Sequence, residues 1–166
     1  MNVAGSGHRV TNDGSAILYS GHTDTDVRGV ALIVSKEKAN TLLEKDPISD
    51  RMTRASLNSK DCKLTAMQCY AKTNEAEGKG KDTWYDQLQL AVSNVIMTTG
   101  HMNAKVGADY TNCDRVIMRH GCGEINDNGE RLIGFCLKCY HDQKIHFPYF
   151  LQILKASPFD TSLAKS

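Results

Sequence analysis

The sequence predicts a layered domain of the α/β (α+β) class, and three observations carry that prediction. The run Val30, Ala31, Leu32, Ile33, Val34 is continuously apolar and β-rich, as in a buried strand. Two later stretches, around Trp84 and around Leu132, repeat their apolar residues at helical spacing. Between them and the first run, two strand-like segments flank a short polar turn and read as a hairpin. Strands mixed with amphipathic helices fold as packed layers.

The elements follow in order. Residues 16–20 form a short apolar strand that stops at Gly21, and residues 21–26 are polar and turn-like. Residues 28–35 form the second strand. Ser35 can cap a helix over residues 36–45, with Ala39, Leu42 and Leu43 on one face and Pro47 closing it. Residues 51–58 and 62–71 are the hairpin strands. A charged loop, 74–81, leads to a helix opened by Asp82, with Trp84, Leu88, Ala91 and Val92 on one stripe. That helix runs almost directly into a buried strand over 95–99, so its last turn is expected to be lost. Residues 100–107 are a loop, and 112–123 show no clear pattern. Asn128 is expected to cap a helix over residues 129–140, whose apolar set is Leu132, Ile133, Cys136, Leu137 and Tyr140. The stretch 141–166 has two prolines, scattered aromatics and no period.

Composition bounds the function. A chain of 166 residues suits one domain. A formal net charge of +1 argues against a polybasic nucleic-acid tail and against an acidic disordered one. Ile, Leu, Val and Phe make up about a fifth of the residues, which predicts a folded but weakly stabilised domain. No apolar run is long enough for a membrane-spanning helix, and the first ten residues hold no apolar leader core. Six cysteines in that setting read as free thiols of an intracellular protein.

One segment goes further. Gly100-His101-Met102-Asn103-Ala104-Lys105-Val106-Gly107 follows the strand at 95–99. It resembles the Gly-Asp-x-Asn-Ala-x-Val-Gly loop of the endonuclease/exonuclease/phosphatase family, whose fold is that of DNase I. Tyr70-Ala71-Lys72-Thr73-Asn74 resembles that family's Tyr-Ala-Pro-Thr-Asn strand end. The helix from Lys81 to Gln89 looks like the one the family places between these blocks. Asn126-Asp127-Asn128-Gly129-Glu130-Arg131-Leu132 is similar to its Asn-x-Asn-Gly-x-Arg-Leu helix start. Gly29-Val30-Ala31-Leu32-Ile33 and Ser49-Asp50-Arg51 match upstream. The order of the blocks resembles the endonuclease domains of non-LTR retrotransposons, the branch called craniofacial-development-protein-like.

The resemblance implies a partial DNase I-like four-layer sandwich over residues 1–140, with 141–166 as a divergent, irregular tail. It implies DNA as ancestral substrate and Mg²⁺ as ancestral cofactor, in a phosphodiester hydrolysis where carboxylates hold the ion and donors offset charge on the phosphate. Under it, Tyr70 offers its phenol to the phosphate, Asn103 positions the phosphate or the attacking water, and Asn74 is a further phosphate-side donor. His101 occupies the family's metal-binding carboxylate position, where imidazole is a poor ligand for an oxygen-preferring ion. The family's N-terminal strands, with a metal-binding Glu and a phosphate-side Asn, have no counterpart before Gly5-Ser6-Gly7. Its C-terminal Asp-His pair, which activates the water, has none after Tyr140. Lys72 replaces its Pro.

The functional expectation is therefore the remnant of a Mg²⁺-dependent DNA endonuclease, truncated at both ends and not competent for catalysis. The alternatives are a non-catalytic DNA-binding or structural remnant, a phosphatase of small esters, and a small zinc protein using Cys136, Cys139, His141 and His146. Each site residue also has a plain structural reading. Tyr70 can be a half-buried strand aromatic, Asn103 a left-handed turn residue, and His101 an exposed loop histidine, which is preferred to a metal ligand. Asp50, Glu75 and Asp109 remain acidic but read as surface residues. Lys36, Lys38, Lys60, Lys63, Lys79 and Lys81 read chiefly as solvated surface that could face a phosphate backbone. Missing outer strands would leave inner strands as exposed edges, so a loosely packed, aggregation-prone chain is expected.

Overall fold

The computed structural model describes residues 5–22, 29–58, 63–92, 97–107 and 123–141. Among the described residues seven strands and three helices follow in the order β1 (Ser6–Val10), β2 (Ala16–Gly21), β3 (Gly29–Val34), α1 (Lys36–Ala39), β4 (Leu42–Ser49), β5 (Met52–Asn58), β6 (Lys63–Tyr70), α2 (Gly78–Ala91), β7 (Met97–His101) and α3 (Asp127–His141). They form an α+β layered domain. One sheet has three antiparallel strands, β1-β2-β3; the other has four, β4-β5-β6-β7. In the second, β4, β5 and β6 are antiparallel and β7 joins β6 in parallel.

The side-chain alternation of β5 and β6 fixes the layers. Ala55 points to one face of the four-stranded sheet and packs with Ala16, Leu18 and Val34 of the other sheet, with Leu32, Leu42 and Leu57 around them. Met52, Met67 and Cys69 point to the opposite face, where they meet Trp84, Tyr85 and Leu88 of α2 and Leu132, Phe135 and Cys136 of α3. The order is therefore sheet, sheet, helices. A parity of two along each strand decides which layer a residue serves. By that parity Arg51, Tyr70 and His101 lie on the side facing the three-stranded sheet.

Several expectations are corrected. The helix placed over 36–45 ends at Ala39, and residues 42–49 are strand β4. Thr41 stops the helix, with its hydroxyl and its N–H both donating to the Lys38 carbonyl at 2.7 and 2.9 Å. Leu42 and Leu43 fit either period, and pairing with β5 decides for the strand, which leaves Leu43 exposed. Pro47 then sits in the edge strand, where a missing N–H costs little. Strand β1 escapes notice in the sequence because it is a polar edge without alternation.

Helix α2 starts at Gly78, so Asp82 lies one turn inside it and pairs with Arg131 of α3. Helix α2 ends at Ala91 with Val92 as its C-cap, and the expected loss of a last turn at Ser93 and Asn94 falls on residues outside the described ones. Strand β7 extends through Gly100 and His101, which the sequence places in a loop. The cap of α3 is Asn126, not Asn128, since the Asn126 Oδ1 accepts the Gly129 N–H at 2.8 Å. Segments 59–62, 93–96, 108–122 and 142–166 lie outside the described residues, and with them Lys60, Asp109, His146 and most of the predicted tail.

Candidate functional site

The parallel pairing of β6 and β7 brings two chain turns to one end of the four-stranded sheet, and the predicted residues follow from that register. Tyr70 stands opposite His101. Below them Thr99 donates its hydroxyl to the Gln68 side chain across the same two strands. The rings of Tyr70 and His101 lie 6.0 Å apart, centre to centre, tilted by 43°. The strands come this close because position 100 is glycine. It has φ 146°, and a Cβ there would lie 1.8 Å from the Cys69 carbonyl oxygen.

Past β7 the chain reverses at Asn103, which adopts the left-handed φ of 50°. The plain reading of Asn103 as a left-handed turn residue is therefore right about its backbone. Its side chain does more than turn the chain. The Asn103 amide Nδ2 donates to the Ala71 carbonyl at 2.9 Å, which aims Oδ1 at His101. The His101 Nε2 lies 3.0 Å from that Oδ1 and donates to it. Tyr70, His101 and Asn103 are thus one group, joined by a tilted ring contact and a hydrogen bond.

Arg51 completes the group. Its guanidinium lies 5.2 Å from the centre of the Tyr70 ring, within cation–π range. Its Nη1 donates to the Tyr70 and Ala71 carbonyls at 3.4 and 3.3 Å. The sequence names Arg51 only as part of a matching block. Its register, one position before β5 and beside the end of β6, is the missing signal.

Two asparagines at the start of α3 fix the two turns. The Asn126 Oδ1 also accepts the Lys105 N–H at 2.9 Å, and its Nδ2 donates to the Asn103 carbonyl at 3.1 Å. Asn128 is wholly buried, and its Nδ2 donates to the Lys72 carbonyl at 2.9 Å and to the Asn103 carbonyl at 3.4 Å. One amide therefore ties the turn after Tyr70 to the turn bearing Asn103. Gly129 lets α3 dock so closely, since a Cβ there would meet the Lys105 carbonyl oxygen at 1.9 Å.

Asn74 does not join the group. It lies on an exposed turn, and among the described residues its side chain has no hydrogen bond to Tyr70, His101 or Asn103. Its carbonyl is held by Lys81, at 2.7 Å. Lys81 itself corrects the surface reading. It is 5% exposed and forms a 2.5 Å ion pair with Asp127, which Arg131 shares at 3.0 Å. The carboxylate and the Asn74 carbonyl take the place of water around the buried ammonium.

Cys136 and Cys139 face the helix-side core beside Leu88. Burial pushes the Cys136 thiol up, with the neighbouring Cys139 adding to the shift. The same desolvation lifts the Cys69 thiol to about 12. Cys69, Cys136 and Cys139 form no disulfide among the described residues. His141 ends α3, and neither its side chain nor His146 is among the described parts. Among the described residues no three or more His, Cys, Asp or Glu side chains converge as a metal-holding group. Nor is any described helix long and apolar enough to cross a membrane.

No protein-family model matches the chain. Over 132 residues, 76% of its length, it is 33% identical to a curated bovine (Bos taurus) protein. The chain is similar to craniofacial development protein 2. The protein of that name from Tragulus javanicus gives the same 33% identity over 132 residues. The aligned part covers 22% of the bovine craniofacial development protein 2 and 23% of the other, so the chain spans less than a quarter of these relatives.

Proposed function

We propose that the chain is a DNase I-like domain of the endonuclease/exonuclease/phosphatase superfamily, of retroelement origin, that contacts the DNA phosphate backbone and does not cleave it. The similarity to craniofacial development protein 2 supports the lineage. The observation that carries the functional half is the His101–Asn103 pair. The group at the strand ends is assembled as phosphodiester chemistry needs, with a phenol, an amide and a guanidinium on one surface. The position that should bring a carboxylate to that group brings an imidazole instead.

Mg²⁺ does not fit this donor set. The ion prefers octahedral oxygen coordination, mostly from carboxylates and water. Here the Asn103 Oδ1, the side-chain carbonyl oxygen at the centre of the group, already accepts the His101 N–H. Loss of one metal-polarised, charge-stabilising element costs hydrolysis several kcal/mol of barrier. The zinc alternative has less support, because Cys136 and Cys139 sit inside the apolar core.

A supercoiled-plasmid nicking assay with Mg²⁺ tests the reading. The natural chain should nick no faster than its EDTA control. Nicking above that control would overturn the account and turn attention to Asp50, Asp109 and Glu75. Running His101→Asp alongside locates the defect. If only the variant nicks, one residue silences an otherwise complete site. If neither does, the defect extends beyond position 101.

A further inference from the structure

We infer that the Arg51–Tyr70–His101–Asn103 group takes a DNA phosphodiester directly, with no divalent cation between protein and phosphate. The inference rests on the proposed reading of this surface as phosphate-facing, and adds the mode of recognition. The group keeps several donors free. Asn103 has given Oδ1 to His101, and one N–H of its amide to Ala71, which leaves the second N–H. The Tyr70 hydroxyl has no partner among the described residues. Arg51 uses Nη1 on two carbonyls, while its Nε and Nη2 have no partner among the described residues.

Charge points the same way. A guanidinium is always protonated, and its planar fork matches two phosphate oxygens. Stacked on Tyr70, it is held in place before any ligand arrives. Its field at the group opposes a dication and favours an anion. No hydrogen bond or ion pair joins Asp50 to the group, although it precedes Arg51 in the chain. His101 thus acts as a stopper. Its ring stands at the family's carboxylate position and takes one lone pair of the Asn103 amide oxygen.

The experiment measures binding of a short labelled duplex by anisotropy, in EDTA and then in Mg²⁺ at matched ionic strength. The natural chain should bind in EDTA, with no tightening by Mg²⁺. Tyr70→Phe keeps the stacked ring and removes one donor, so affinity should fall about fivefold. His101→Asp should weaken metal-free binding about tenfold or more and make it respond to Mg²⁺. Binding by the natural chain that requires Mg²⁺ overturns this inference and leaves the phosphate-facing reading standing. Binding that ignores both substitutions, or no binding in either buffer, overturns both.

Discussion

Gly100→Ala is expected to leave little folded protein. A methyl at this position would enter the Cys69 carbonyl at 1.8 Å, and backbone, unlike a flexible side chain, cannot step aside. The φ of 146° adds a conformation that L residues rarely adopt. Strained backbone of this kind costs about 1–3 kcal/mol, and overpacking a filled interior costs about as much again. A small domain has only about 5–15 kcal/mol of stability in total, and this one has a modest apolar content. The substitution also strikes the pairing of β6 with β7, which sets Tyr70 beside His101. Urea unfolding followed by far-UV circular dichroism should show the midpoint lowered steeply or the transition absent. A midpoint like that of the natural chain would mean that the two strands do not approach as described.

Asn128→Ala should be the second most damaging change, and its damage should centre on the site. The Asn128 amide bridges the carbonyls of Lys72 and Asn103, and the residue is wholly buried. Removing it leaves the half-buried Lys72 carbonyl without that donor and the Asn103 carbonyl with the Asn126 amide alone, and opens a cavity, at a cost of about 1–3 kcal/mol. Its own carbonyl, which accepts the Tyr85 hydroxyl at 3.0 Å, is unaffected because it belongs to the backbone. The expected outcome is therefore a lowered unfolding midpoint with faster amide exchange in residues 102–107, while the β4–β5 hairpin keeps its protection. Uniform loss of protection across both sheets would argue that Asn128 supports the fold generally and does not fasten these two turns.

The sequence shows the layers well where periodicity carries them. Leu18, Val34, Trp84, Leu88, Leu132 and Cys136 repeat as strands and helices should, and all are buried. It fails where pairing outweighs period. Leu42 and Leu43 suit a helix as well as a strand, and only the register against β5 settles it. It fails again at β1, whose residues carry no alternation because an edge and both faces meet solvent, all but Gly7 being exposed.

At the site, Tyr70, His101 and Asn103 were readable because they belong to contiguous blocks with recognisable spelling. Arg51 lies in a matching block that says nothing of its role, because its place over Tyr70 depends on strand pairing between residues nineteen apart. Asn126 and Asn128 show the same limit. Their spacing reads as a helix start, and the choice of which one caps depends on the loop that α3 meets. Lys81 resembles the other lysines in the sequence and differs from them only through Asp127, which reaches it from another helix.

The most direct test of the central claim, that one carboxylate-free group at the ends of β6 and β7 faces DNA phosphate, is a nuclear magnetic resonance titration. Amide and side-chain signals of the labelled chain would be followed as a short duplex is added in EDTA. The account predicts that the signals which move first and furthest are those of Arg51, Tyr70, His101 and Asn103, including the Asn103 side-chain amide. Shifts confined to other surfaces, or none at saturating DNA, would contradict it.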